Sequence, residues 1–438
     1  MPVATRPPRL AWLTEALGAT PAPREGRTRD SVVIPSASRP QMVLSPNDRG
    51  AAWASLRQHS DASPPRVRVA KELMAWAFRV GLEGPLFRAL IPDPLVSGAG
   101  SPDWRELIEH VFGRADLAVA ISVGHLRPQI KPILHVATRR GMLLGHVKVG
   151  WNDITRPLVR HEAQALEAID DATGGSEGVA VPRVLHHGPW NGRQVLAVTH
   201  IGNSPWYRAP RTDLPACATR QLGRLLGVER SPLGASEFWS DLDQRTARLI
   251  EHAVLDGPLA TELAAARDRI EARFAGTDLD FGLVHGDWAP WNMTSSGPSV
   301  AVWDWERSRI RGPIGFDGTY FRFQVDLWIR GFGPDEALDR TLHRLPETMT
   351  RSGTSPTAGP AVLGLVVLEV ALRQLEGLAT GMRVPDRVHR RLIGLLQRAG
   401  DEGGRPAGTR GATSPLTARA RLRRERLKQR RTRRIRAR

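Results

Sequence analysis

At 438 residues, the chain is long enough for two or three modules, and its content of 41% hydrophobic and 24% charged residues excludes wholesale disorder. The formal net charge of +17 is concentrated at one end. Residues 419–438 contain twelve basic residues and one acid and carry +11, which leaves +6 for the other 418 residues. The single cysteine, Cys217, excludes an internal disulfide and a cysteine-based zinc site.

The sequence predicts a soluble, cytoplasmic protein. Its amino-terminal segment has arginines but lacks the continuous apolar run of a signal peptide. The longest apolar run, residues 361–372, is interrupted by Glu369 and is shorter than the roughly 20 residues that a transmembrane helix needs. A lone cysteine also fits a reducing compartment.

Two extensions are predicted before the first strand-rich region. Residues 1–64 are rich in proline, serine, arginine and threonine, which indicates a loosely ordered extension. Residues 65–114 are predicted to form a helical extension. Its apolar residues recur at intervals of three and four, which favours a helix face directed to the core over a helix on a membrane surface. These residues are Val69, Leu73, Trp76, Ala77 and Val80.

The remaining chain predicts an α+β protein with two unequal lobes. Residues 115–202 carry three short strands joined by tight turns (117–123, 132–137 and 142–149), a helix (155–170) and two more strands (183–186 and 194–199). This order predicts a small antiparallel sheet lobe with one main helix. Residues 203–400 form a larger, mostly helical lobe with a strand-rich interruption at 281–305, and residues 401–438 are a basic tail that we expect to be disordered.

The strand-rich interruption carries a group of residues suited to phosphoryl transfer. One predicted strand ends at His285-Gly286-Asp287, Asn292 follows five residues after Asp287, and the next strand ends at Asp304. Metal-assisted phosphoryl transfer needs one carboxylate to deprotonate the acceptor hydroxyl. It also needs an amide oxygen and a second carboxylate to hold Mg²⁺ against the nucleotide phosphates.

This segment resembles the catalytic core of the aminoglycoside phosphotransferase and choline kinase family of small-molecule kinases, in which His-Gly-Asp-x4-Asn stands in place of the protein-kinase His-Arg-Asp. Residues 303–306 (Trp-Asp-Trp-Glu) are similar to the family's counterpart of Asp-Phe-Gly. The resemblance covers about residues 115–400 and implies a two-lobed protein-kinase-like fold. It also implies that ATP or GTP, with Mg²⁺, phosphorylates a hydroxyl group of a small molecule of the aminoglycoside, sugar or amino-alcohol type.

A kinase-like small lobe requires a lysine on its third strand and a glutamate on the next helix. The chain has only four lysines, and one of them, Lys148, lies on the predicted third strand. On the next helix Glu162 shares a face with apolar residues, where an unpaired carboxylate is costly. Lys148 is therefore its expected partner, although a solvated surface glutamate is the simpler alternative.

The resemblance assigns a role to each of these residues. Asp287 is the expected catalytic base and His285 a structural brace for its loop. Asn292 and Asp304 are the expected magnesium ligands, and Lys148, oriented by Glu162, is expected to bind the α- and β-phosphates. The segment that contains Thr199 and Ile201 is the expected hinge for the base. The first hairpin is not glycine-rich, so the assignment of Lys131 to the phosphates rests on position alone.

Several alternatives remain open from the sequence. Trp288 and Trp291 are predicted either to pack in the core or to stack on a sugar or a cationic group. The tail, Arg419–Arg438, is either a solvated segment or a non-specific contact for a polyanion. A catalytically inactive kinase-like scaffold tethered by this tail is the competing function. A protein kinase is disfavoured, because Gly286 replaces the arginine of His-Arg-Asp.

Overall fold

The small lobe is built on an eight-stranded antiparallel sheet. The computed structural model describes residues 10–18, 30–36, 40–82, 90–92, 95, 103–124, 129–173, 178–202, 211–251, 255, 257–296, 299–379 and 386–399. The first nine strands are β1 (Asp30–Ile34), β2 (Met42–Leu44), β3 (Leu90–Pro92), β4 (Leu117–Ser122), β5 (Ile133–Thr138), β6 (Leu143–Gly150), β7 (Val179–Ala180), β8 (Val184–Trp190) and β9 (Arg193–Thr199). The sheet has the order β3-β1-β2-β4-β5-β6-β9-β8, and all neighbours are antiparallel.

Among the described residues of the small lobe, five helices flank this sheet. They are α1 (Ala11–Leu17), α2 (Arg49–Leu56), α3 (Pro65–Val80), α4 (Trp104–Phe112) and α5 (Thr155–Thr173). The predicted meander β4-β5-β6 and the predicted helix α5 are confirmed, with α5 ending at Thr173. Asn152 begins α5 by accepting a hydrogen bond from the backbone N–H of Thr155 at 2.8 Å.

Strand β4 shows why the sheet is covered on both faces. Its sequence, Leu-Ala-Val-Ala-Ile, alternates large and small residues. The large side chains pack with α1 and α4, whereas Ala118 and Ala120 pack with α2 and α3 on the opposite face. The small residues let α2 approach closely, and a Cβ on Gly50 would collide with the carbonyl groups of Thr138 and Arg139.

The small lobe begins earlier than the sequence predicts. The expected loosely ordered extension, residues 1–64, contributes α1, α2 and strands β1 and β2 to the lobe, and the expected helical extension, residues 65–114, contributes β3. Strands β1 to β3 are only three to five residues long, so their periodicity is too brief to stand out among the surrounding prolines and serines. The predicted tail, residues 401–438, lies outside the described residues.

The orientation predicted for α3 is wrong. Of the five residues that the periodicity assigns to the core face, Val69, Leu73, Trp76 and Val80 are 58%, 67%, 55% and 59% exposed, and only Ala77 is buried. The helix instead buries the face of Ala75 and Phe78 against α2. Because α3 has apolar residues on both sides, its periodicity does not determine which side is buried.

The large lobe is mostly helical, and the predicted two-lobed α+β fold is confirmed. Its strands are β10 (Glu229–Pro232), β11 (Asp278–Val284), β12 (Met293–Ser296), β13 (Ser299–Val302) and β14 (Arg309–Pro313). Its helices are α6 (Ala216–Arg224), α7 (Glu237–Glu251), α8 (Gly257–Phe274), α9 (Phe316–Gln324), α10 (Pro334–His343), α11 (Leu345–Ser352), α12 (Gly359–Ala379) and α13 (Asp386–Gln397). Strands β10, β11 and β14 form one small sheet, and β7, β12 and β13 form another.

Helix α12 is the central helix of the large lobe. It is apolar around most of its circumference and packs against α7, α8, α9 and α13. Within the described residues, Pro356–Gly377 is long and apolar enough to cross a membrane, but 78% of its apolar window is buried in the protein. Such burial is typical of a core helix.

Candidate active site

Lys148 forms the predicted ion pair with Glu162. Its Nζ lies 2.5 Å from Glu162 Oε1 and 2.8 Å from Asp304 Oδ1. The backbone N–H of Trp305 donates to the same Glu162 oxygen at 3.1 Å. Strand β6, helix α5 and the loop after β13 therefore meet at one ammonium group.

This arrangement keeps Asp304 ionised. Burial alone would raise the pKa of Asp304, but the ammonium groups of Lys148 and Lys131 outweigh burial and hold the pKa well below its ordinary value. Asp304 also has a left-handed backbone, with φ of 71° and ψ of 59°. The loop thus turns sharply where it presents this carboxylate.

Lys131 belongs to the same group of charges. It is buried, forms an ion pair with Glu306, and lies close enough to Asp304 and Lys148 to feel their charges. Burial lowers the pKa of Lys131 to about 8. Glu306 was not singled out from the sequence as a site residue, and the structure identifies it as the partner of Lys131.

The loop that carries Asp287 is fixed by buried polar contacts. Asp317, at the start of α9, accepts hydrogen bonds from the backbone N–H groups of His285 at 2.7 Å and Gly286 at 2.9 Å. Burial raises the pKa of Asp317 to about 7, despite these two donors. The ring of His285 donates through Nε2 to the carbonyl of Trp303 at 3.1 Å, and its Nδ1 accepts from the N–H of Asp287 at 3.2 Å. His285 is thus placed as a link between the two loops.

Gly286 is required by its backbone. Its φ is +78°, and a Cβ at this position would collide with the carbonyl of Arg307. A His-Arg-Asp sequence could not adopt this loop without displacing the segment after Asp304.

Neutral donors surround Asp287. The phenol of Tyr320 donates to Oδ1 at 2.6 Å, and the amide of Asn292 donates to Oδ2 at 2.8 Å and to the backbone carbonyl of Asp287 at 3.0 Å. Arg373 is farther away, with its Nη1 3.9 Å from Oδ1. Burial raises the pKa of Tyr320 well above its ordinary value, so the phenol remains a donor.

A buried chain of charges supports Arg373. Its Nη2 donates to the carbonyl of Gly286 at 2.9 Å and its Nε donates to Glu369 at 2.6 Å. Glu369 also accepts from Arg245 on α7 at 2.6 Å. Glu369, which interrupts the apolar run of α12, therefore links two arginines behind the loop of residues 285–292, which we call the catalytic loop.

The expected hinge lies against the strands that follow the catalytic loop. Thr199 accepts a hydrogen bond from the N–H of Arg183 at 2.9 Å and ends β9, and Ile201 is half-buried. A Cβ on Gly202, which has a φ of +61°, would lie 2.7 Å from Thr294 and 2.8 Å from Ala301. The glycine permits this close approach of the two lobes.

The tryptophans near the catalytic loop differ in exposure. Trp288 is fully buried and its ring lies 5.8 Å from that of His285, so of the two alternatives core packing holds for Trp288. Trp305 is also buried, with its ring 4.7 Å from His285. Trp291 is half-buried against the core of the large lobe.

Besides Glu306, sequence reasoning missed Tyr320 and Arg373. Tyr320 lies three residues after Asp317 on α9, so both side chains share the helix face that is directed to the loop of Asp287. Arg373 lies on α12, and nothing in the local sequence distinguishes it from a surface arginine.

Residues 152–349 match the model of a family described as the phosphotransferase enzyme family. The match includes Glu162 and the whole catalytic loop, and it begins four residues after Lys148. It confirms the resemblance that the sequence analysis drew from the His-Gly-Asp motif.

Several solved structures are similar to the chain. A thermostable mutant of aminoglycoside phosphotransferase APH(4)-Ia, in a ternary complex with ADP and hygromycin B, is 16% identical over 70% of this chain and 99% of that one, with a TM-score of 0.44. Choline kinase LicA from Streptococcus pneumoniae is 14% identical over 67% of this chain and 96% of its own, with a TM-score of 0.42. A choline/ethanolamine kinase family protein from Mesorhizobium loti is 18% identical over 64% and 86%, with a TM-score of 0.40. No curated protein matches the chain.

Proposed function

Because residues 152–349 match the phosphotransferase enzyme family, we propose that this protein transfers the γ-phosphoryl group of magnesium-bound ATP to a hydroxyl group of a small molecule. The observation that carries the proposal is that two carboxylates with different surroundings, Asp287 and Asp304, lie on loops that are hydrogen-bonded to each other. The N–H of Trp303 donates to the carbonyl of Asn292 at 3.0 Å, so the loop of Asp304 is bonded directly to the loop of Asp287. Use of ATP rather than GTP is part of the proposal.

Under this proposal, Lys148 binds the nucleotide phosphates. Glu162 fixes the ammonium group from one side, and the half-exposed Asp304 contacts it from the other. Lys131 provides a second ammonium group in the same cluster. Two buried cations suit a polyanionic triphosphate, because they act in a medium of lower dielectric than water.

Asn292 and Asp304 fit a magnesium ion. Both amide hydrogens of Asn292 point to Asp287, which leaves its amide oxygen for a cation. Asp304 is held in its anionic form, and its side chain is 33% exposed. An amide oxygen and a carboxylate are the hard donors that Mg²⁺ prefers, and the bound ion would neutralise charge on the phosphates.

Under this proposal, Asp287 takes the proton of the acceptor hydroxyl. Tyr320 and Asn292 each bind one of its carboxylate oxygens, so its orientation is fixed from both sides. Arg373 supports the loop through the carbonyl of Gly286 and does not form a close ion pair with the carboxylate. A carboxylate positioned mainly by neutral donors is suited to accept and release a proton.

The acceptor belongs to the aminoglycoside, sugar or amino-alcohol type under this proposal. We also propose a cytoplasmic location, because the free and exposed thiol of Cys217 fits a reducing compartment.

A two-stage experiment tests the proposed function. Thermal unfolding with and without MgATP comes first, because a ligand that binds the native state raises the melting temperature. A panel of aminoglycosides, sugars and amino alcohols is then screened for acceptor-dependent release of ADP. Stabilisation by MgATP and ADP release with at least one acceptor are expected. Stabilisation without turnover on any acceptor would favour the inactive scaffold, and no stabilisation would contradict nucleotide binding.

A further inference from the structure

Three histidines lie beside Lys148 on the same face of the small-lobe sheet. His146 is two residues before Lys148 on β6, so both side chains point to one face, roughly 7 Å apart along the strand. His135 is directly opposite His146 on β5. His200 follows β9, and its N–H donates to the carbonyl of Leu144 at 2.9 Å. The sheet face that holds the proposed phosphate-binding lysine therefore continues into imidazoles.

These imidazoles form a continuous hydrogen-bonded chain. His135 Nδ1 lies 3.0 Å from His146 Nδ1, and His146 Nε2 lies 3.2 Å from His200 Nδ1. Burial lowers the pKa of His135 to about 3 and that of His200 to about 4, and it lowers the pKa of His146 well below its ordinary value. All three rings are therefore neutral at pH 7, and each has one N–H donor and one acceptor nitrogen.

Gln58 determines the direction of hydrogen-bond donation among the three imidazoles. Its side-chain amide donates to His146 Nε2 at 3.4 Å, so that nitrogen is an acceptor. His146 then donates through Nδ1 to His135, and His135 donates through Nε2 to Ser122 at 2.6 Å.

At the other end, His200 donates through Nδ1 to His146, which leaves its Nε2 as an acceptor. That nitrogen is buried and has no hydrogen-bond partner among the described residues. A buried acceptor without a donor is costly, and a ligand that donates to it removes the cost.

Gln58 belongs to a segment that is anchored on the catalytic loop. Residues 58–62 connect α2 to α3, and we call them the 58–62 segment. The N–H groups of Asp61 and Ala62 donate to the carbonyls of Met293 at 2.9 Å and Pro290 at 3.0 Å. These two carbonyl groups flank Asn292, the proposed magnesium ligand.

The side chain of Asp61 strengthens this anchor. Asp61 is 3% exposed, and its carboxylate accepts from Arg211 at 2.9 Å and from the hydroxyl of Ser295 at 2.7 Å. Its backbone carbonyl accepts from the N–H of Arg211 at 2.9 Å. With backbone and side chain both bound, the segment is fixed against the residues that follow Asp287.

We propose that the 58–62 segment and His146 and His200 form the base-binding wall of the nucleotide site, where a base that carries an amino group donates to His200 Nε2. The inference rests on the proposed function. A nucleotide that has its phosphates at Lys148 and extends along β6 toward Leu144 meets His146 first and His200 next. ATP, whose base has an amino group, is therefore preferred over ITP, whose base lacks it.

Equilibrium binding measured by calorimetry tests this wall with three probes. These are the Mg²⁺ complexes of ATP, ITP and inorganic tripolyphosphate, the last of which has phosphates but no base. The variants are Gln58→Ala and His200→Ala, with His200→Asn as a conservative exchange that retains an acceptor. Leu73→Ala is the matched control, because Leu73 is on the same amino-terminal part of the chain and is 67% exposed.

Wild-type protein is expected to bind MgATP about tenfold more tightly than MgITP, the scale of one unsatisfied buried acceptor. Gln58→Ala and His200→Ala are each expected to weaken MgATP binding about five- to tenfold and to leave tripolyphosphate binding unchanged. The ratio of ATP to ITP affinity should fall toward one in His200→Ala and recover in part in His200→Asn. Leu73→Ala should match the wild type with every probe.

Other results would contradict the proposed base-binding wall. Unchanged MgATP affinity in both alanine variants would show that the base lies elsewhere. Tighter MgATP binding in Gln58→Ala would show that the 58–62 segment obstructs the site. An equal loss of tripolyphosphate binding would show a general disturbance of the lobe. If wild-type protein binds none of the three probes, it is the proposed function that fails, and this outcome is distinct from the others.

Discussion

The surroundings of Asp304 and Asp287 differ in the kind of group that contacts each carboxylate. Asp304 has the ammonium group of Lys148 at 2.8 Å and feels the charge of Lys131, whereas Asp287 has the phenol of Tyr320 at 2.6 Å and the amide of Asn292 at 2.8 Å. Ammonium groups stabilise a carboxylate permanently as an anion. Neutral donors orient a carboxylate while leaving it free to exchange a proton.

This contrast suggests a division of labour between the two loops. Under the proposed function, the loop after β13 presents a permanent anion to a cation, and the loop after β11 presents a base to a hydroxyl group. Both loops are held together by His285, which bonds to Trp303 in one and to the N–H of Asp287 in the other. Changes on either loop should therefore have distinct kinetic signatures.

Removal of the proposed base should produce the largest effect. Asp287→Asn keeps the size of the side chain and removes its ability to take a proton, so turnover should fall by about a hundredfold or more while MgATP binding remains nearly intact. Steady-state kinetics with an identified acceptor measures this. Turnover within about threefold of the wild type would exclude Asp287 as the general base.

Replacement of Lys148 and of Glu162 should each lower kcat/KM for MgATP strongly, but the two effects should not add. Glu162 acts by orienting the lysine, so the double variant Lys148→Ala/Glu162→Ala should be little worse than Lys148→Ala alone. The coupling of contacting residues in one network is about 0.5–3 kcal/mol, and a double-mutant cycle in kcat/KM for MgATP measures it. Simple addition of the two single effects would mean that Glu162 does not act through Lys148.

A smaller effect is expected from Tyr320→Phe. The ring still fills its buried position, but the carboxylate of Asp287 loses one of the two donors that fix its orientation, so kcat should fall about five- to tenfold. The KM for MgATP should stay nearly unchanged, which a general defect of the fold would not allow. Arg220→Ala, on the exposed side of α6, is a control for general damage.

The smallest effect on catalysis is expected from the tail. Deletion of residues 419–438 removes +11 of charge and should abolish retention on heparin, while acceptor-dependent activity stays unchanged. Chromatography and activity assays on the same preparation measure both properties. A collapse of activity would show that the tail belongs to the catalytic fold.

The sequence was informative where the chemistry is local. His285, Gly286, Asp287 and Asn292 lie within eight consecutive residues, so their spacing alone indicates a loop with a shared task. The pairing of Lys148 with Glu162 could also be predicted, because a buried carboxylate needs a partner and the chain has only four lysines.

The contacts that tertiary packing creates could not be read in this way. Tyr320 and Arg373 reach the catalytic loop from helices 33 and 87 residues away from their partners Asp287 and Gly286. The exposed face of α3 shows the same limit, since periodicity identifies an apolar stripe but does not identify the element that covers it. Asp61 lies in a polar segment without a motif, and only its burial against Arg211 and Ser295 distinguishes it.

The most direct test of the division of labour is a parallel measurement of MgATP affinity in Asp287→Asn and Asp304→Asn by calorimetry, with ATP in the presence of EDTA as the metal-free reference. Asp287→Asn should bind MgATP within about threefold of the wild type, and Asp304→Asn should bind it at least about tenfold more weakly, because Asp304 and not Asp287 is proposed as a metal ligand. In EDTA the difference between the two variants should largely disappear. Equal losses in the two variants, or a greater loss in Asp287→Asn, would contradict the assignment of base and metal ligand.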